Sequence, residues 1–139
     1  MPANTEPIFT LTPNIGMAEV AEANAESDGT GDLVTLFTAG ANGSRVEYVK
    51  YTNAQSTPAA SSAMVVRIFV TDSGGINPRL IGESALATAT RTAAVIGATG
   101  TITFSGGLTI ASGQLLQCCQ SVYAGVQDLM HFIAVGGDY

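Results

Sequence analysis

Apolar and polar residues alternate in short runs along most of this chain, and the runs are separated by glycine, asparagine and serine. Met64 to Thr71 (MVVRIFVT) is the clearest run: Val66, Ile68 and Val70 share one face, and Val65, Arg67, Phe69 and Thr71 share the other. Gly100 to Ser105 (GTITFS) puts Ile102 and Phe104 on one face. Leu33 to Thr38, Arg45 to Thr52, Leu80 to Ala87, Leu108 to Ala111, Gln114 to Tyr123 and His131 to Val135 read as further strands. Ile8 to Leu11 is a short candidate.

The turns are written in residues that accept positive φ. Between Thr35 and Tyr51, Gly40-Ala41-Asn42-Gly43 separates two β-type runs, which predicts a β-hairpin. Asp28 to Asp32, Asp72 to Gly75 and Gly106-Gly107 are expected turns. Ala54 to Ala63 is expected to be a loop, and Thr88 to Thr99 is compatible with helix, strand or loop.

Eight or nine short strands with no regular helical alternation predict an all-β fold, an antiparallel β-sandwich of jelly-roll-like type. A small barrel shares the spacing. Pro2, Pro7 and Pro13 interrupt the start of the chain. Residues 1–30 are therefore expected to form an extended N-terminal arm and residues 31–139 a single sandwich domain. Within the arm, Met17 to Ala25 fits a short helix or an extended edge.

A length of 139 residues suits one domain. Only 12% of the residues are charged, about half the usual ~25%. So few charges suggest that part of the surface is covered in an assembly. The net charge of −6 argues against nucleic acid as a partner, because phosphate contacts need cations and only Arg45, Lys50, Arg67, Arg79 and Arg91 are present. Glu6, Glu19, Glu22, Glu26, Asp28 and Asp32 all precede the first cation. No apolar run approaches the ~18 residues of a membrane span, so no membrane partner is expected. No export signal is expected at the start of the chain.

Reactive chemistry is sparse. His131 is the sole histidine, and no nucleophile signature accompanies it. Asp28 and Asp32 flank two glycines, but the calcium-loop pattern is absent and a capped turn is the expected role. Cys118 and Cys119 are adjacent, so on a strand they point to opposite faces and do not bridge. Asn42-Gly43-Ser44 matches a glycosylation acceptor but is read as turn chemistry. Tyr48, Tyr51 and Tyr123 could stack on sugars, although strand packing also accounts for them. The expectation is a non-enzyme with no catalytic residue, cofactor or metal.

Several segments resemble, in order, a group of small proteins encoded among the virion genes of tailed bacteriophages. They are Pro7-Ile8-Phe9-Thr10 with Thr12-Pro13-Asn14, Asp28 to Gly31, Phe37 to Val46, Val66 to Val70, Leu80 to Glu83, and the terminal Gly136-Gly137-Asp138-Tyr139. Cys118-Cys119 and Thr88 to Thr99 lie outside the resemblance. It implies a capsid decoration, or cement, protein: a homotrimer on the outer surface of the virion head that clamps neighbouring subunits of the major capsid protein, assembled in the host cytoplasm. It implies no catalytic residue. The competing reading is a virion-borne glycan- or receptor-binding β-sandwich, as in a head fibre or tail tip.

Overall fold

The structure is a computed structural model that describes residues 9–55 and 58–139. Eight strands form it: β1 (Thr12–Val20), β2 (Val34–Thr38), β3 (Ser44–Asn53), β4 (Met64–Thr71), β5 (Arg79–Leu86), β6 (Thr99–Ile110), β7 (Leu115–Gln120) and β8 (Met130–Asp138). One short 3-10 turn, Val126–Asp128, precedes β8. Two four-stranded antiparallel sheets face each other, sheet A in the order β1-β8-β3-β6 and sheet B in the order β2-β7-β4-β5. This interleaving is the jelly-roll order.

The alternation seen in the sequence explains the core. Val46, Val49 and Tyr51 of β3 and Met130, Phe132 and Ala134 of β8 point from sheet A toward Val66, Ile68, Leu116 and Cys118 of sheet B. Tyr51 is the hinge of the ladder. It pairs with Phe132 on one side, ring centroids 6.1 Å apart, and with Gly100 on the other. Its ring lies over Gly100, where any Cβ would collide with it.

Three local expectations are corrected. The runs flanking Gly40 to Gly43 do not form a hairpin: β2 pairs with β7 in sheet B, and β3 pairs with β6 and β8 in sheet A. Both runs carry inward apolar residues, Leu36 and Phe37 on one and Val46 and Val49 on the other. The connection therefore arches over the edge of the core. Its Gly43, at φ +86°, supplies the sharp bend. Gly106-Gly107 does not reverse the chain either. Residues on both sides of it stay paired to β3, with Val46 opposite Leu108 and Tyr48 opposite Thr103, so Phe104 to Gly107 bulge out of one long strand.

The third concerns the arm. Of the segment 1–30, residues 1–8 lie outside the described residues, and so does Ile8 of the expected strand Ile8 to Leu11. Phe9 to Leu11 is not strand, whereas Thr12–Val20 is an edge strand of the sandwich, paired along its length with β8. The pairing satisfies the outer edge of β8 and buries Val20. Gly16 permits it, because a Cβ there would meet the backbone carbonyl of Leu36 on β2. Pro13 is tolerated because β1 is an edge.

The loop residues 21–33, 54–55, 58–63, 87–98 and 121–129 gather at one end of the sandwich. The arch 39–43 and the turns 72–78 and 111–114 lie at the other.

Candidate docking surface on the outer sheet

The two outer faces of the sandwich differ. On sheet B the outward positions of β4 and β7 include Phe69 and Cys119, which are buried although they stand apart from the main core. The loop 21–33 is bonded to the β7 end of this face and to Arg67. Asn24 holds the loop in shape by donating to the carbonyls of Thr30 (3.0 Å) and Asp32 (2.8 Å) while accepting from the Glu26 amide. The Asn24 amide donates to the Gln120 carbonyl at the end of β7. Arg67, opposite Cys119, donates to the Ala25 carbonyl at 3.3 Å.

Sheet A has no such loop among the described residues, and its outward positions form ordered rows. Ile15 stands opposite Val135, and Val135 opposite Tyr48. In the next row Met17 stands opposite Ile133, and Ile133 opposite Lys50. Glu19, His131 and Thr52 form the third. Ile15 is 56% exposed, Met17 74%, Ile133 39% and Tyr48 37%. This is an apolar strip on a flat sheet, continued past its end by exposed Phe9 and Leu11. A shallow groove of about 300 Å³ runs over Met17, Glu19, His131 and Ile133. Polar groups border the strip: Glu19 and His131 lie 3.1 Å apart, and Arg45 and Glu47 lie 2.7 Å apart. Contiguous exposed apolar area with a polar rim is the ordinary signature of a surface that meets another molecule.

The singled-out residues are scattered. His131 sits on the open face, and its side-chain partner is Glu19 across the strand pair. Asp28 caps its turn by accepting from the Thr30 amide (2.9 Å) and hydroxyl (2.7 Å), and these bonds hold its carboxyl below the usual carboxylate range. Asp32 uses its backbone carbonyl to hold Asn24. No group of three or more His, Cys, Asp or Glu side chains placed to hold a metal ion occurs among the described residues. Cys118 faces the core and Cys119 the opposite side of the sheet, beside Arg67, and burial pushes both thiols up. Arg67 works against that rise at Cys119. The three tyrosines share no surface: Tyr51 is in the core, Tyr48 on the open face, and Tyr123 in the loop after β7.

Two constellations have little sequence signal. Buried Asp128 accepts from the Ser62 amide (2.6 Å), the Ser62 hydroxyl (2.9 Å) and the Ala124 amide (2.8 Å), which ties two loops together. Buried Asn53 adds a third loop, its side-chain amide donating to the Gln127 carbonyl (2.7 Å) while its backbone carbonyl accepts from Arg91 (2.8 Å). At the opposite end Asp138 accepts from Asn14 (2.8 Å) and from Ser44 (2.5 Å). An acid flanked by apolar residues, as in Val126-Gln127-Asp128-Leu129-Met130, is the one hint available beforehand.

Comparison with known proteins adds little. No protein-family model matches the chain. No curated protein matches it. Among solved structures the chain is similar to one described as the structure of infectious bursal disease virus Gt strain, with 15% identity and a TM-score of 0.33. That match covers 96% of this chain and 32% of the other, so the chain spans about a third of that protein's length.

Proposed function

We propose that this protein is a structural component of a virion, a decoration protein on the outer surface of a phage capsid that clamps neighbouring subunits of the major capsid protein. The observation that carries the reading is the contrast between the faces. On sheet B the outward Phe69 and Cys119 are buried and the loop 21–33 is bonded to the end of β7 and to Arg67, with Leu80 exposed at the β5 edge, whereas sheet A presents the contiguous set Ile15, Met17, Tyr48 and Ile133 to solvent. That face is the one seated on the shell. The ordered resemblance to tailed-phage virion proteins supports the same reading, as does the low charge. Jelly rolls serve many functions, so the fold alone carries none of this.

The work is mechanical. A flat β face can cross a boundary between two shell subunits and bury apolar area on both. Burial stabilises by roughly 25 cal/mol per Å². The rim charges then set orientation more than strength. The glycan-binding alternative needs several rings on one accessible surface, and the dispersed tyrosines favour it less.

The test is rebinding. Purified protein is added to phage heads stripped of surface proteins, and bound protein is measured after sedimentation. Saturable binding is the expected result. Failure to bind any head particle contradicts the proposal.

A further inference from the structure

We infer that the free edge of β6 pairs with the β6 edge of a second copy of this chain, joining two sandwiches into one continuous sheet about a two-fold axis at Ile102. The inference does not rest on the capsid reading.

A sheet edge offers unpaired N–H and C=O groups, and proteins ordinarily blunt it with charge, proline, short length or a cover. Three of the four edges here follow that practice. β1 carries Pro13 and Glu19, β5 carries Arg79 and Glu83, and β2 is only five residues long. β6 is the exception. It is twelve residues long, has no charge and no proline, and among the described residues pairs on one side only, with β3. The chain on either side of it is equally neutral, since no Asp, Glu, Lys, Arg or His occurs from Thr92 to Gln127, and the charges beside it, Arg45 and Lys50, stand on β3, away from the free edge.

Register with β3 is unbroken over Thr99–Thr103, and Phe104 and Ser105 continue the strand up to the glycines Gly106 and Gly107, so the edge on offer is Thr99–Ser105, the run T-G-T-I-T-F-S. Antiparallel pairing of this run with itself about Ile102 is self-complementary. Thr101 falls opposite Thr103 of the partner subunit, and Thr99 opposite Ser105 of the partner subunit. Every outward hydroxyl then meets a hydroxyl, a favourable cross-strand pairing. On the inner face Ile102 meets its own copy, and Phe104 falls opposite Gly100, the residue with no side chain. Ile102 and Phe104 are only half-buried in the single chain although both point inward, because the sheet ends beside them. A second strand there covers them. Contact between identical patches is isologous, so the assembly closes at two. The resemblance, by contrast, implies three.

Light scattering of the purified chain across a concentration series tests this, together with two double variants. Wild type is expected at twice the chain mass. T101K/T103K sets lysine opposite lysine twice and is expected to be monomeric, with a melting temperature lower by no more than a few degrees, since both positions are exposed and Lys50 of the same chain lies opposite position 101. T101K/T103E sets lysine opposite glutamate twice and is expected to restore the double mass. A wild type that stays monomeric, or runs at three chain masses, overturns the inference. So does a double-lysine variant that keeps the double mass, or a Lys/Glu variant that stays monomeric. Head binding is read separately, so failure of one proposal is distinguishable from failure of the other.

Discussion

Ser44 donates a 2.5 Å hydrogen bond from its hydroxyl to the Asp138 carboxylate, joining the first residue of β3 to the last of β8. The Gly40 amide donates to the same serine oxygen at 2.8 Å, and Asn14 of β1 adds a 2.8 Å bond to the carboxylate. One side chain thus gathers three strand ends and the arch.

These bonds hold the Asp138 carboxyl below its ordinary range, the Ser44 bond contributing most. A carboxylate whose folded pKa lies below its unfolded one stabilises the fold fully above the unfolded value, and the contribution is lost as pH falls through the folded value. Melting temperature is therefore expected to drop in acid, and the drop is expected to be shallower in Asp138→Asn. Asp28, lowered in the same direction, accounts for part of the slope that remains. Equal slopes in the two proteins would contradict this role. Ser44→Ala is expected to cost about 1 kcal/mol, measured by urea unfolding.

Asp128→Ala is expected to be more damaging. It removes the shared acceptor of the Ser62 amide, the Ser62 hydroxyl and the Ala124 amide and empties a buried position, a loss of about 2 kcal/mol. Chemical denaturation reads the loss directly, and a change below about 1 kcal/mol would refute the role given to this carboxylate.

Gly16→Ala tests how β1 joins the sandwich. The added methyl meets the backbone of Leu36, which has no rotamer to yield. An overpacking loss of about 2 kcal/mol is expected, with faster hydrogen exchange in β1. Were β1 a loosely attached arm, the substitution would be neutral.

The loop on sheet B can be probed through the thiols of β7. Neither cysteine is expected to react with a thiol reagent in the folded protein, because both are buried and burial raises both thiols. Asn24→Ala frees the loop 21–33 and is expected to expose Cys119 while Cys118 stays protected. Equal labelling of the two in that variant would show that the loop is not what covers Cys119.

Strand positions were legible wherever one apolar face alternates with a polar one, as in Met64 to Thr71. Partner choice was not. Gly40 to Gly43 has hairpin composition, yet the strands beside it part into different sheets, because each needs a facing layer and not a neighbour for its apolar side chains. Gly106-Gly107 has turn composition, yet register with β3 resumes beyond it. The open face was hidden for a related reason. Ile15 and Met17 look like buried residues of a strand, and only the small partners Gly16 and Ala18, which take the inward positions, send them outward. The buried part of the outer face of sheet B could not be read at all, since the loop bonded to Gln120 and Arg67 beside it comes from residues 21–33, far away in the chain.

The central claim is that the outer face of sheet A seats on the shell. The most direct measurement is co-sedimentation of M17E/I133K with stripped phage heads, beside wild type and a control variant altered on the other sheet, Glu83→Lys. Both residues of the double variant are exposed, so its melting temperature is expected to match wild type within a few degrees. Binding is expected to fall at least tenfold in M17E/I133K and to be unchanged in Glu83→Lys. Wild-type binding by M17E/I133K would contradict the claim.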